Sequence, residues 1–511
     1  MPIYRTGRNR NGTFIGDHHE AERPSSRWTY EISRGSVAFP REIQGETHYT
    51  GLWPPISGLS CPAATSPRTT RFAARFLRHD LRLLGMLVDP THSTGRFHRS
   101  FDSPTGCRLP NYLARLSYMY SSRQHFAALS TPWSDAKAAA FIQRFVDQSI
   151  ASLLEHGGFE PHPQDDLRDS DMFYHGIPGV LWAIAYLKSV GAVQYELDLV
   201  PALKKSLLRN RREFSRSLYS ESGSYLMSEL PILMLLSRLE SGSTWDNAIL
   251  ERAQMGSDQP ARELMWGVPG TMLAANFMFR WTGEQRWRDL YSLQAQHLMS
   301  EWEEVSPGTH IWSPELYGKS YPYLGAVHGF AGNAASLLAG QEILGTEVFG
   351  DITEKIISTL IQTAETHEGL ANWRAIHGVE TRWSLQHCHG APGVVTSTAG
   401  IPLGRDEGFD ALLTMAGELI WRAGPLKKGV SLCHGTAGNG YALLKLHERT
   451  DDPLWLERAR SFAMTALAQS EDAERFFKHP RFSLWTGDAG LAVYLWDCVR
   501  AKPEFPTIDV F

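Results

Sequence analysis

The chain has 511 residues, 42% of them hydrophobic and 21% charged, and a formal net charge of -5. This is an ordinary composition for a soluble enzyme, and no sustained basic block offers the positive face that nucleic acid needs. No stretch of about 18 uncharged apolar residues occurs, so no integral membrane segment is expected. The N-terminus lacks the apolar core of a secretory signal, which makes the expected compartment the cytoplasm.

Residues 1 to 70 are rich in Pro, Gly, Ser and Arg and show little periodicity, so they read as an irregular N-terminal extension. Residues 71–90 (RFAARFLRHDLRLLGMLVDP) have helical spacing and stop at Pro90. Residues 71–511 read as a single domain whose organisation is clearest over 130–505. Cys61, Cys107, Cys388, Cys433 and Cys498 are an odd set in a long chain without a secretory signal. That argues against a disulfide framework and makes metal binding or catalysis the first question to ask of them.

One short pattern organises the domain: Gly, any residue, Pro or Ala, Gly, then an apolar run. It starts at Gly176, Gly267, Gly329, Gly390, Gly435 and Gly487, and a degenerate copy starts at Ser228. That makes seven turns. The first glycine can turn the chain, and a proline near a helix start costs nothing because the first N–H groups have no partner there. The apolar runs, such as VLWAIAYL after Gly179, are hydrophobic nearly all round and should be buried helices.

Between the turns lie amphipathic segments, among them 134–155 with Ser134 as N-cap, 351–368, 410–423 and 453–470. Seven buried helices alternating with seven amphipathic ones describe an all-α fold. The expected architecture is an (α/α)7 barrel, a toroid of seven inner and seven outer helices with the Gly-rich turns at one end; an open helical solenoid is the alternative. The stretch 281–323 holds one outer helix and then an aromatic loop (THIWSPELYGKSYPYLG), either a lid or a longer connection.

The chemistry sits on the turns. His175, His328, Cys388-His389 and Cys433-His434 all stand just before a first glycine. If the turns face one axial cavity, these side chains converge. Cys388, Cys433 and His434 then offer zinc two sulfurs and one nitrogen, with a fourth position open. Their spacing is not a familiar zinc spacing, so on the residues alone two buried apolar thiols and hydrogen-bonded turn histidines remain the alternative.

The motifs GAVHGFAG (325–332), CHGAPG (388–393), LKKGVSLCHGTAGNGYALL (426–444) and FSLWTGDAG (482–490) resemble the lanthionine-synthetase-C-like family, in its eukaryotic branch. The resemblance covers roughly residues 130–505. It implies the (α/α)7 barrel and zinc (Zn2+) on Cys388, Cys433 and His434. It implies a catalytic acid/base histidine at His328. His389 is, on its place in the turn, a second acid, a partner to a zinc ligand, or a structural turn histidine. The resemblance also implies glutathione or another thiol as partner, added to a dehydroamino-acid peptide or another electrophilic small molecule. Lys428 holds the place of a lysine that contacts the tripeptide. The chain departs from the family at His387, where Trp is common, and at 476–481 (FFKHPR), where an Arg-x-Pro-Asp segment helps hold glutathione. Arg481 is the substitute carried forward there, with Arg475 and Lys478 as others.

Rival readings are a glycoside hydrolase, a regulatory protein that binds zinc and glutathione without turnover, and thiol conjugation of a small molecule in detoxification or secondary metabolism. A hydrolase needs two facing carboxylates. Glu229, Glu263 and Asp488 lie near turns, but they form no convincing pair in the sequence.

Overall fold

The computed structural model describes residues 119 to 511, apart from 129, 166–170, 218–219, 221, 241, 243 and 256–258. The extension expected over 1–70, the helix expected over 71–90, Cys61 and Cys107 lie outside the described residues. Among the described residues there are fourteen α-helices. In chain order they are α1 (Asp135–His156), α2 (Ile177–Ser189), α3 (Val200–Phe214), α4 (Leu230–Leu239), α5 (Asp246–Gln254), α6 (Val268–Thr282) and α7 (Gln285–Ser300). Then follow α8 (Phe330–Leu338), α9 (Thr346–Thr363), α10 (Ala391–Thr398), α11 (Glu407–Ala423), α12 (Thr436–Thr450), α13 (Pro453–Phe477) and α14 (Asp488–Arg500).

The even-numbered helices are the apolar runs after the turns, and they form the inner ring. All of α10 is buried, and so is α8 up to Leu337. The odd-numbered helices bury one stripe each; α9, for example, buries Ile352, Ile356, Ile357 and Leu360. Ser134 caps α1 as expected, its side chain accepting from the Lys137 N–H. Inner neighbours pack in sequence from α4 to α14, and α14 packs on α2 and α1.

The turns are stitched to each other by backbone hydrogen bonds at equivalent places, two residues before the first glycine. Cys388 N–H donates to Cys433 O (3.0 Å) and Cys433 N–H to Trp485 O (3.0 Å). Trp485 N–H donates to Tyr174 O (3.0 Å) and Tyr174 N–H to Leu226 O (2.9 Å). The third of these joins the seventh turn to the first, so the chain closes into an (α/α)7 barrel and is not an open solenoid. The second glycine of each turn is fixed by close approach. A Cβ on Gly438 would lie 1.8 Å from Leu432 O, and one on Gly393 would lie 1.9 Å from His387 O. At Gly390 the backbone also has φ +103, a region that favours glycine.

Two stretches differ from expectation. Residues after α7 form two antiparallel hairpins, β1 (Glu303–Ser306) with β2 (Thr309–Ile311) and β3 (Glu315–Leu316) with β4 (Lys319–Ser320). Trp312 there is fully buried and stacked on Trp302 at 4.4 Å, so this is a packed connection and not a lid. Residues 364–367, expected as the end of an outer helix, pair instead as β5 (Ala364–His367) with β6 (Leu370–Trp373). The turn Glu368-Gly369, with both residues at positive φ, forces that reversal.

A ring of seven inner helices leaves an axial space, and residues 501–511 fill it. Phe505 is fully buried among His387, Tyr441 and Trp485. Phe511 packs on Phe173, Tyr225, Phe277 and Trp281 from three inner repeats. The Tyr225 hydroxyl donates to Thr507 O (2.9 Å), and buried Lys445 on α12 pairs with Asp509 (3.0 Å). Phe505→Ala empties the most enclosed part of this plug. The expected cost is about 3–5 kcal/mol, read as a lower denaturation midpoint in guanidinium titrations followed by circular dichroism.

Candidate metal and thiol site

The stitching places residues two and one before each first glycine around the axis. Cys388 and Cys433 occupy the same position in adjacent turns, which is why their sulfurs meet although they stand 45 residues apart in the chain. One ligand atom from each of Cys388, Cys433 and His434 lies within 4.8 Å of the others, and both cysteines are buried. A tetrahedral zinc with Zn–S about 2.3 Å and Zn–N about 2.0 Å needs ligand atoms roughly 3.5–3.8 Å apart, so the set fits that ion with little movement. Two thiolates would also balance its charge.

The protonation of the two thiols supports the fit. Cys388 is lowered to about 7, first by the hydrogen bond with Cys433, against burial, with help from Lys428, His328 and the Gln386 amide. Cys433 is pushed well up, mainly by burial and by Cys388, and partly offset by the Tyr174 hydroxyl and Lys428. The pair therefore shares a proton that a cation would displace.

His328 stands at the rim on the turn before α8, with 15% of its side chain exposed. Its Nδ1 lies 2.7 Å from Glu263 Oε2. Glu263 is fully buried, and its carboxylate accepts from the N–H groups of Trp266 (2.6 Å) and Met265 (3.2 Å). That fixes the carboxylate, and the carboxylate fixes the imidazole. Among the described residues Glu263 thus has an orienting role that sequence reading missed; its only signal was a place four residues before a turn glycine. As a partner for hydrolytic chemistry it faces a histidine and not a second carboxylate, so the glycosidase reading has no pair to work with. Glu229 is engaged by Arg211 and Arg252, and Asp488 by Ser470 and the Arg481 N–H.

His389 is buried, and burial first, then His328 and Lys428, hold it down at about 3. It is a neutral imidazole beside the site. Lys428 is no solvated surface lysine. It is half-buried, and burial lowers its pKa while the charges of Cys388 and Cys433 raise it. Arg481 acts on Lys428 from the seventh turn and forms an ion pair with Asp165, its Nε donating to Oδ1 at 3.0 Å. The structure therefore brings Cys388, Cys433, His434, His328, His389, Lys428 and Arg481 to one end of the barrel. Arg475 and Lys478 stay outside: Arg475 pairs with Asp472, and the Lys478 ammonium donates to Arg475 O. Cys498 is wholly buried on α14, and burial pushes its thiol far up, as in a packing residue.

A closed α/α barrel with a Cys-Cys-His cluster and an acid-oriented histidine at its turn end defines a class of thiol- or metal-handling toroids. Comparison with known proteins narrows the class. The profile of the lanthionine synthetase C-like proteins matches residues 168–510, most of the described barrel, and the chain belongs to that family. It is similar to "Glutathione S-transferase LANCL1" of Danio rerio, 26% identical over 384 residues, covering 71% of this chain and 89% of that one. It is similar also to "LanC-like protein GCL1" of Arabidopsis thaliana, 28% identical over 258 residues, covering 48% and 58%. Among solved structures, nisin cyclase aligns with a TM-score of 0.49 at 16% identity, covering 71% of this chain and 96% of that one.

His387, where the family resemblance leads one to expect Trp, sits under the site. It is fully buried and stacked on Phe505 at 4.4 Å, and neither ring nitrogen has a hydrogen-bond partner among the described residues. Burial lowers it to about 3. Its folded pKa is below its unfolded one, so the unfolded chain binds the extra proton between about pH 6.5 and 3. Stability then falls as pH falls through that window, by about 1.4 kcal/mol per pH unit for each such group. With chelator present to remove metal linkage, the denaturation midpoint should drop between pH 6.5 and 4. In His387→Phe the drop should be shallower, as measured by urea titration at stepped pH.

Proposed function

We propose that this protein is a zinc-dependent thiol-activating enzyme that adds glutathione or another thiol to a dehydroamino acid or related electrophile. The observation that carries the proposal is the meeting of two buried cysteines and a histidine beside a histidine held by a buried glutamate. The similarity to the Danio rerio protein, named as a glutathione S-transferase, supports the thiol as substrate.

Cys388, Cys433 and His434 would hold the zinc. When bound it lowers the pKa of a coordinated thiol, so that the sulfur is presented as thiolate near neutral pH. The rest falls to the chain's own residues. Nδ1 of His328 is occupied by Glu263, which leaves Nε2 to face the substrates. It takes the proton of the incoming thiol. The sulfur forms a bond to the β-carbon as the carbon–carbon π bond breaks, and His328 returns the proton to the α-carbon. The sum is addition of S–H across the double bond, with no other reactant. Neutral His389 accompanies His328 as a proton acceptor or ring contact. Lys428 and Arg481 offer cations to the carboxylates of a peptide thiol such as glutathione. The axial plug closes the cavity from below, so reactants enter from the turn end and water is limited. No described helix is long and apolar enough to cross a membrane. A cytoplasmic setting, where thiols stay reduced, suits this chemistry.

A second reading has one observation in its favour. Arg481 is already paired with Asp165, and the glutathione-holding segment is replaced by 476–481, which suits a zinc- and glutathione-binding regulator without turnover. A small electrophile in detoxification or secondary metabolism is a third, with the same site.

Elemental analysis of purified protein should give one zinc per chain, lost in Cys433→Ala. Wild type carrying no zinc after metal-replete purification would remove the mechanism. His328→Asn should keep its zinc and lose roughly 10²–10⁴-fold in addition of glutathione to a dehydroalanine peptide. Glu263→Gln should keep its zinc and lose less. A wild type that binds zinc and glutathione but shows no addition to peptide or small electrophiles would favour the regulator.

A further inference from the structure

The two thiols of the site are not equivalent in their surroundings. The Gln386 carboxamide Nε2 lies 3.1 Å from Cys388 Sγ, and both residues are buried, Gln386 at 7% exposure and Cys388 at 3%. The contact is also built into the turn. Gln386 N–H donates to His389 O and His389 N–H to Gln386 O, both at 3.1 Å, closing a two-residue loop whose tip is His387-Cys388. His387 is wedged against Phe505 beneath, and Cys388 N–H is tied to Cys433 O (3.0 Å). The cysteine is thus positioned by backbone and by packing. The Gln386 side chain is not needed to place the sulfur, and what it adds is a hydrogen bond to it.

Resting on the zinc reading above, we propose that Gln386 tunes the metal centre through Cys388: its amide N–H donates to the Cys388 sulfur and would limit the electron density that this sulfur gives to the metal. A thiolate that accepts a hydrogen bond is a weaker donor, and its metal remains a stronger Lewis acid toward an incoming thiol. With two thiolates in the set, restraining one of them offsets the loss of Lewis acidity that sulfur-rich coordination brings.

The test uses full-length protein loaded with Co2+ in place of zinc, because sulfur-to-cobalt charge-transfer absorption reports the electron density on the thiolates and needs no turnover. Gln386→Leu removes the donor, Gln386→Asn shortens it out of reach, and Gln386→His restores an N–H of similar reach. The expected result is a shift of the charge-transfer band to lower energy in the Leu and Asn variants, with the wild-type position regained in the His variant. Zinc stoichiometry should hold at the wild-type value, and thiol addition should fall about 10–100-fold in Leu and Asn. A band that does not move in a fully loaded, folded Gln386→Leu or Gln386→Asn protein overturns the role of Gln386 and leaves the zinc reading standing. A shifted band in a protein whose wild type shows no thiol addition keeps the role of Gln386 and removes the enzyme reading. A wild type that takes up neither cobalt nor zinc overturns both.

Discussion

The structure depends on the hydrogen bonds that tie five of the glycine turns into a row across the join between the chain's last repeat and its first. They run between main-chain groups at the same place in successive repeats, from Cys388 to Cys433, Trp485, Tyr174 and Leu226. Because the bond at Trp485 and Tyr174 spans the ends of the domain, the stitching both closes the barrel and sets the spacing of the turns. Side chains that stand far apart in the chain become neighbours as a consequence. The site is therefore a by-product of the closure: Cys388 and Cys433, each two before a first glycine, are delivered to the row of backbone contacts. Cysteine there and histidine one residue later bring together, without local ligand spacing, a set that could hold a metal ion.

The close approach of the second glycine is the other half of the same constraint. In six of the turns a Cβ there would strike the carbonyl oxygen six residues earlier. The inner helix must start directly over the turn that precedes it, which leaves no room for a side chain and no freedom in the turn's height. In the degenerate second turn, where Pro231 takes that glycine's place, the job passes to hydroxyls. Ser228 Oγ donates to Ser224 O (2.6 Å) and accepts from Leu230 N–H (3.1 Å), and Ser224 Oγ bonds Met265 O in the next turn. The repeat tolerates a different sequence there because the same connections are made by other atoms.

This explains what was legible in the sequence. Gly-x-Pro/Ala-Gly before an apolar run has a local cause, so seven inner helices and the residues just before each turn could be read directly. Contacts whose logic is long-range could not. Glu263 and His328 are 65 residues apart and meet only because the third and fourth turns adjoin. The tail that plugs the axis has no periodicity to reveal it, and Phe505 and Phe511 read as ordinary apolar residues until the ring exists to receive them. The strand at 364–367 was hidden for a different reason. Its residues continue the amphipathic pattern of α9, and only Glu368-Gly369 marks the reversal. Lys428 could be singled out only through the family resemblance, since nothing local separates it from its neighbour; Lys427 is exposed and Lys428 is half-buried.

The plug and the stitching act together on the chemistry. A cluster of two thiols and an imidazole at the open end of a hollow ring would be bathed in water from both sides, and its charges would be screened. Filling the axis with Phe505, Phe511 and the stacked His387 gives the cluster an apolar floor, so electrostatic influences from Lys428, His328 and Arg481 reach it through protein and not through solvent. That floor also accounts for the lowered pKa of His387: an imidazolium there would face apolar rings and have no hydrogen-bond partner among the described residues. A tryptophan at this place would fill the same volume without a titratable group. Histidine keeps the aromatic surface for Phe505 and accepts two ring nitrogens without partners as the cost, which the rest of the aromatic cluster is large enough to carry.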